Sequence, residues 1–311
     1  MTGFPTRRTA LAAGVGALAI PAAAADPPAE VIDTHTHFYD PTRPEGVPWP
    51  GQDDRVLYRA VLPAEYRRLA APLGVTGTVV VEASPRLEDN DWLLGLARCD
   101  AFLLGVVGHL RMADAEFPRH LARLAAGPKF RGIRINAADV RDALEMPARL
   151  DRLKALRDAG LTLDVNGGPE ILPLAARVAD RLPGLRVVVN HLGNPLIDGR
   201  EPPAAWLDGL KAAAAGKTVW CKMSALADGT RRQNQGAPAD PAFYRPVMDA
   251  AWAAFGADRL LFGTNWPVSD HYAPLARVVA LAADFVRGKG DAAVRKVMGA
   301  NAREAYRLPR A

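Results

Sequence analysis

From Val31 onward, short apolar runs alternate with amphipathic stretches along the chain. Runs such as Val79-Val80-Val81 and Val187-Val188-Val189 are apolar at every position, as in strands covered on both faces. The pattern predicts strands at Val31–Thr34, Thr78–Glu82, Leu103–Val107, Gly132–Asn136, Leu161–Asn166, Val187–Asn190, Val219–Met223 and Leu260–Thr264. Helical periodicity lies between them, at Ala64–Leu73, Asp89–Arg98, Phe117–Ala126, Ala148–Ala159, Glu170–Leu182, Ala204–Ala215, Ala242–Phe255 and Tyr272–Val286. Several of these stretches end at Gly74, Gly127-Pro128, Gly160, Gly216 or Gly256. Eight strand–helix units over roughly 250 residues predict an α/β fold, a single (β/α)8 TIM barrel. A doubly wound open sheet is the alternative, but no Gly-x-Gly-x-x-Gly turn follows the first strand. A tail at Asp291–Arg307 reads as a closing helix whose Tyr306 packs on the barrel exterior.

A long loop after the first strand, Phe38–Leu62, is rich in Pro and Gly and carries Trp49, Arg55 and Tyr58. Because it leaves the end of a barrel strand where active sites form, it reads as a lid. The segment Ala225–Pro241 also follows a strand and offers Arg231, Arg232, Gln233 and Asn234 as polar contacts for a substrate.

The first 25 residues are set apart from the barrel domain, which takes 26–311. Arg7-Arg8 precede an apolar run to Ile20, Pro21 and Ala22–Ala25, the layout of a twin-arginine export signal with cleavage near Ala25. The run is too short to span a bilayer, so the expectation is a periplasmic or secreted protein without a membrane span. The formal charge of +5 falls to +3 without Arg7 and Arg8, too mild and too evenly spread for a nucleic-acid binder. A hydrophobic content of 49% against 23% charged residues supports an ample core. Cys99 and Cys221, one on a helix and one in a strand, read as unpaired, buried packing residues. The expected partner is a small-molecule substrate; the oligomeric state stays open, a homodimer among the choices.

The chemistry begins at Val31-Ile32-Asp33-Thr34-His35-Thr36-His37. Side chains two apart on a strand share a face, so Asp33, His35 and His37 should point together, with Asp33 orienting one imidazole. The other strand ends supply Glu82, Arg134 with Asn136, Asp164 with Asn166, His191, Lys222 and Asn265. A buried face with this many ionisable groups makes little sense as packing, since charges are rarely buried without partners. Asp164 reads as a hydrogen-bonded core residue. Glu82 reads either as a base or as the ion-pair partner of Arg134 or Lys222, and Asn265 either as a site residue or as a turn residue before Trp266-Pro267.

These motifs resemble the amidohydrolase-related barrel hydrolases, in the branch of 2-pyrone-4,6-dicarboxylate lactonase and sugar lactonases. The matching stretches are Asp33–His37, Gly132-Ile133-Arg134, Asn190–Pro195, Lys222-Met223-Ser224 and Phe262–Val268. The resemblance implies an amidohydrolase-like barrel, hydrolysis of a small lactone or ester, and a divalent metal in some members. One departure stands out: Asn265 occupies the eighth-strand position where the family usually has Asp. An amide cannot act as a general base and is a weak Zn²⁺ ligand. The fifth strand offers Asn166 where related metal-dependent enzymes use His, so a two-metal site is not expected.

Three readings follow. In the first, His35, His37 and His191 hold one Zn²⁺, and Glu82 either joins them as a ligand or, if it does not, replaces the missing base. In the second no metal binds: the histidines polarise a carbonyl while Arg134 and Lys222 hold a carboxylate or an oxyanion, with Asn166 also in the substrate set. In the third the chain is a non-catalytic periplasmic ligand-binding barrel. A decarboxylase or lyase acting on a small carboxylic acid is the other enzyme class.

Overall fold

The computed structural model describes residues 1–3 and 30–309. The export segment expected at 1–25 lies outside the described residues apart from its first three. Strands β1 (Ile32–Thr36), β2 (Gly77–Val81), β3 (Leu103–Gly108), β4 (Phe130–Asn136), β5 (Thr162–Asn166), β6 (Arg186–Val189), β7 (Val219–Met223) and β8 (Leu260–Phe262) run parallel in sequence order. Just past β8, Thr36 pairs with Trp266 and closes the sheet. The amide of Asn265 donates to the His35 carbonyl and that of His37 to the Trp266 carbonyl, each at 2.9 Å. The expected (β/α)8 barrel is the observed fold, and the seam that closes it runs through three of the expected site residues.

The helices are α1 (Pro63–Ala70), α2 (Leu87–Cys99), α3 (Phe117–Ala125), α4 (Ala137–Glu145), α5 (Pro147–Asp158), α6 (Ile171–Arg181), α7 (Ala204–Ala215), α8 (Arg245–Phe255), α9 (Leu275–Arg287), α10 (Asp291–Arg295) and α11 (Asn301–Tyr306). The sequence pattern did not show α4. Asn136 starts it by accepting from the amide of Asp139 at 3.0 Å, so this residue caps a helix and does not serve the site. Pro246 and Pro274 shift the starts of α8 and α9 toward the C-terminus of the expected bounds, because proline is tolerated only at a helix start. Cys221 is buried as expected, whereas Cys99 lies exposed at the end of α2.

Two departures from simple alternation place the site. On β1 the register against β2 slips between Asp33 and Thr36, a bulge that gives three steps on one strand against two on the other. Asp33 therefore faces α1, where it accepts from Tyr66 and from Thr264, while its only link to His35 is the backbone amide at 2.9 Å. The expectation that Asp33 shares a face with His35 and orients an imidazole is corrected on this point. On β2, Val79 and Val81 pack in the barrel interior and Val80 in the helix-facing core; alternation alone, which groups Thr78 and Val80 with Glu82 on the site face, gives the opposite parity.

Below the site the barrel is filled by Ile32, Val79, Val107, Val188 and Leu261, packed on Ala302, Ala305 and Tyr306 of α11. Tyr306 is not on the exterior: only 1% exposed, it plugs the N-terminal mouth and donates to Asp164 at 3.0 Å. Thr162 and Arg186 both donate to the carbonyl of Ala305, at 2.7 and 2.9 Å, and fasten the plug. Replacing Tyr306 with Phe leaves Asp164 short of a donor, and should lower unfolding free energy in urea by about 1–2 kcal/mol. An unchanged denaturation midpoint would show that the plug holds by packing alone.

Candidate active site

At the C-terminal ends of the strands three imidazoles come together. The His35 ring centroid lies 4.3 Å from that of His191 and 5.0 Å from that of His37. Gly263 makes room for them: a Cβ there would sit 3.1 Å from the Cβ atoms of both His35 and Ser224. His191 follows β6 with φ of 55°, a left-handed turn that aims its ring back over the barrel. Its Nδ1 lies 2.8 Å from Ser224 Oγ.

All three imidazoles are neutral, and burial is the main cause. It drives the pKa of His35 and His191 well below the usual range, with Lys222 the next cause, and that of His37 down to about 3, with Arg134 next. The partners of His35 and His37 then fix which nitrogen carries the proton. His37 Nδ1 lies 3.0 Å from the carbonyl of Val81, which can only accept, so Nδ1 is protonated and Nε2 carries a lone pair. His35 is the reverse. Its Nδ1 faces Lys222 Nζ at 3.2 Å, and that ammonium, 2.6 Å from Asp164 Oδ2, is kept charged by its carboxylate against the downward pull of burial. Lys222 donates, so the His35 proton sits on Nε2, a buried atom with no hydrogen-bond partner among the described residues.

The remaining expected residues divide by partner. Arg134 donates through Nε to Glu82 Oε1 at 2.8 Å and through a terminal nitrogen to the Glu82 carbonyl at 2.7 Å, so Glu82 is ion-paired. Lys222 lies beneath the histidines as a support. Asn166 Oδ1 accepts from Asn194 at 3.3 Å at the rim. Asn265, at φ of 63°, is a site residue as well as a turn residue; its Oδ1 lies 3.3 Å from His37 Nε2 and its Nδ2 donates to Asp228 Oδ1 at 2.7 Å.

Sequence reasoning missed Asp228 and Ser224 as site residues. Asp228 lies in the polar segment Ala225–Pro241, yet nothing in its spacing ties it to Asn265, 37 positions later. Burial pushes its pKa up to about 6.

The expectation of a ready three-histidine metal set is corrected. Among the described residues no group of three or more His, Cys, Asp or Glu side chains is arranged to hold a metal ion. The reason lies in the partners: the carboxylates of Glu82, Asp164 and Asp228 are turned to Arg134, Lys222 and Asn265, and His35 presents an N–H.

The loop after β1 covers this end of the barrel and is pinned down. Tyr39 and Val61 pair across its base, Arg43 forms an ion pair with Asp89, and Asp54 Oδ2 lies 2.9 Å from His271 Nε2. Trp49 packs 6.1 Å from His37, centroid to centroid. A small cavity under the loop is lined by Phe38, Tyr39, Trp49, Trp92 and Glu82, and so lies beside the Arg134–Glu82 pair.

The model of the amidohydrolase family matches residues 32–308. The chain belongs to the amidohydrolase family. It is 34% identical to an L-fucono-1,5-lactonase from Burkholderia ambifaria over 286 residues, covering 90% of this chain and 96% of that protein. An amidohydrolase structure from Burkholderia multivorans with bound zinc superposes with a TM-score of 0.82 at 28% identity, covering 90% of this chain and all of that one. A candidate 2-pyrone-4,6-dicarboxylic acid hydrolase from Pseudomonas putida shares the fold, with a TM-score of 0.72 at 22% identity over 91% of this chain and 99% of its own.

Lys222→Met tests the support under His35. It leaves the Asp164 carboxylate buried without its cation and should cost about 3–5 kcal/mol in denaturant unfolding. Lys222→Met combined with Asp164→Leu should recover much of that loss. A single variant as stable as the wild type would contradict the ion pair.

Proposed function

We propose that this amidohydrolase-family protein is a hydrolase of small neutral lactones, with sugar-acid lactones the favoured class. The observation that carries the reading is that the two cations at the strand ends are already neutralised. Arg134 is held by Glu82 at 2.8 Å and Lys222 by Asp164 at 2.6 Å. Neither is free to pair with a substrate carboxylate, which favours a neutral lactone over a dicarboxylated pyrone or a decarboxylation substrate. The 34% identity to a fuconolactonase supports the same class.

The residues divide the work as follows. His35 Nε2–H is a buried donor with no partner among the described residues; we assign it to the lactone carbonyl oxygen, where it would stabilise the oxyanion as water adds to the carbonyl carbon. Asn265 Oδ1 and His37 Nε2 are two acceptors side by side, suited to hold that water. Glu82, with one oxygen on Arg134 and the other free of hydrogen bonds among the described residues, takes the water proton and returns it to the ring oxygen as the C–O bond breaks. The product is the open hydroxy acid. Asn166 and Asn194 at the rim are placed to meet substrate hydroxyls.

A divalent metal completes the proposal. The donor chemistry fits one: His37 is neutral with Nε2 unprotonated, and His191 is neutral with Nδ1 engaged by Ser224. These two would hold the ion, with Zn²⁺ suited to imidazole; the His37 lone pair would then be taken by the ion and Asn265 Oδ1 would hold the water, and the ion would supply Lewis-acid polarisation of the lactone carbonyl. We also propose removal of the leader near Ala25 and a periplasmic or secreted location, on the twin-arginine pattern of the sequence. No described helix is long and apolar enough to cross a membrane.

A panel of neutral aldonolactones including L-fucono-1,5-lactone, run beside 2-pyrone-4,6-dicarboxylate, tests the substrate class. Turnover of the neutral set with little or none of the dicarboxylate is the expected result; the opposite preference overturns it. Glu82→Gln should lower kcat about a hundredfold or more, and full activity in that variant removes the proton-transfer role. Elemental analysis with Zn²⁺-dependent melting tests the metal: saturating Zn²⁺ should raise Tm, with the shift lost in His37→Ala.

A further inference from the structure

Behind the imidazoles lies a buried carboxylate that the chemistry above does not use. Asp228 is 8% exposed, at the start of a short turn after β7. One of its oxygens accepts from Asn265 Nδ2 at 2.7 Å, and the other, Oδ2, is buried with no partner among the described residues. The groups facing it are Asn265, Arg231 on its own loop, and His271 with Tyr272 on the segment after β8. Arg231 faces it without forming an ion pair with it among the described residues.

The side-chain amide of Asn265 can stand in two orientations, and its neighbours are sensitive to which. With Nδ2 on Asp228, the carbonyl oxygen faces His37 Nε2 and the two acceptors can share one water. Turned over, the amide would donate to the His37 lone pair and set its own oxygen against the Asp228 carboxylate. The second arrangement is repulsive unless Asp228 carries a proton. The backbone leaves Asn265 little other freedom, since its amide is bound to the His35 carbonyl and its φ is in the left-handed region.

We infer that Asp228 is a positioning residue for the hydrolysis: its carboxylate accepts an Asn265 amide hydrogen and so presents the Asn265 oxygen to the water beside His37. The inference rests on the lactone-hydrolase reading for its kinetic consequence, not for the hydrogen bond itself. It also gives a reason for an amide at position 265. An aspartate there would place two carboxylates at hydrogen-bonding distance, and one of them would have to stay protonated. Burial has already raised the Asp228 pKa to about 6. As pH falls through that value the carboxyl protonates, ceases to demand a donor and releases the amide, so kcat falls on the acid side.

Two measurements test this on the full-length protein. In ¹⁵N–¹H spectra the Asn265 side-chain amide signal, assigned by its loss in Asn265→Asp, should titrate with a midpoint near 6, and should not move over that range in Asp228→Asn. Failure to titrate in the wild type overturns the inference even if no lactone is ever turned over. On whichever lactone the wild type hydrolyses, Asp228→Leu should lower kcat about tenfold to a hundredfold with KM within about twofold. Asp228→Asn, which keeps an acceptor, should recover part of the loss and remove the acid limb of the pH profile. Asn265→Asp should be impaired alone and improve when combined with Asp228→Asn, because one of the two facing carboxylates is removed. Wild-type kcat and an unaltered acid limb in both Asp228 variants, with only Tm reduced, would show a structural role and contradict the positioning one.

Discussion

The Lys222–Asp164 ion pair is the contact on which the rest of the site stands. Both side chains are completely buried, and the pair is 2.6 Å long. Taking two charges out of water costs several kcal/mol each, and only close geometry with further hydrogen bonds repays it. The fold supplies both. Tyr306, carried in by the last helix, donates to Asp164 from below, and His35 accepts from Lys222 above. A tail closing one end of the barrel thus determines, through two side chains, which nitrogen of an imidazole at the other end carries a proton.

The same logic of paired charge runs through the whole site. Burial keeps the imidazoles neutral, and each nearby carboxylate is bound to a donor of its own. What faces the substrate is therefore polar but little charged: an N–H from His35, lone pairs from His37 and Asn265, and the open side of Glu82. A site of this kind suits a neutral ring ester, whose reaction develops negative charge on one oxygen. The clamped loop above, with Trp49 against His37, keeps bulk water from competing with those few hydrogen bonds.

Much of this was legible in the chain. Continuous valine runs and glycine-terminated helices were enough for the barrel, and strand-end placement brought His35, His37, His191, Glu82, Arg134, Lys222 and Asn265 to one end. The errors have local causes. Strict alternation put Asp33 with His35, but a β-bulge, which no residue type in Ile32–Thr36 announces, separates them. Tyr306 looked like an exterior residue because a lone helix at the chain end does not reveal that it fills a barrel mouth. Asp228 escaped notice because its role depends on a contact across two loops. The pairing of Glu82 with Arg134, left open by the sequence, needed coordinates for the same reason.

The three buried imidazoles are neutral, and the partners of His35 and His37 set where those two rings carry their protons. Histidine ¹⁵N chemical shifts of the purified protein at neutral pH read this directly. The expected shifts are those of a neutral ring protonated at Nε2 for His35 and a neutral ring protonated at Nδ1 for His37. An imidazolium at either position, or the reverse proton placement, would contradict this.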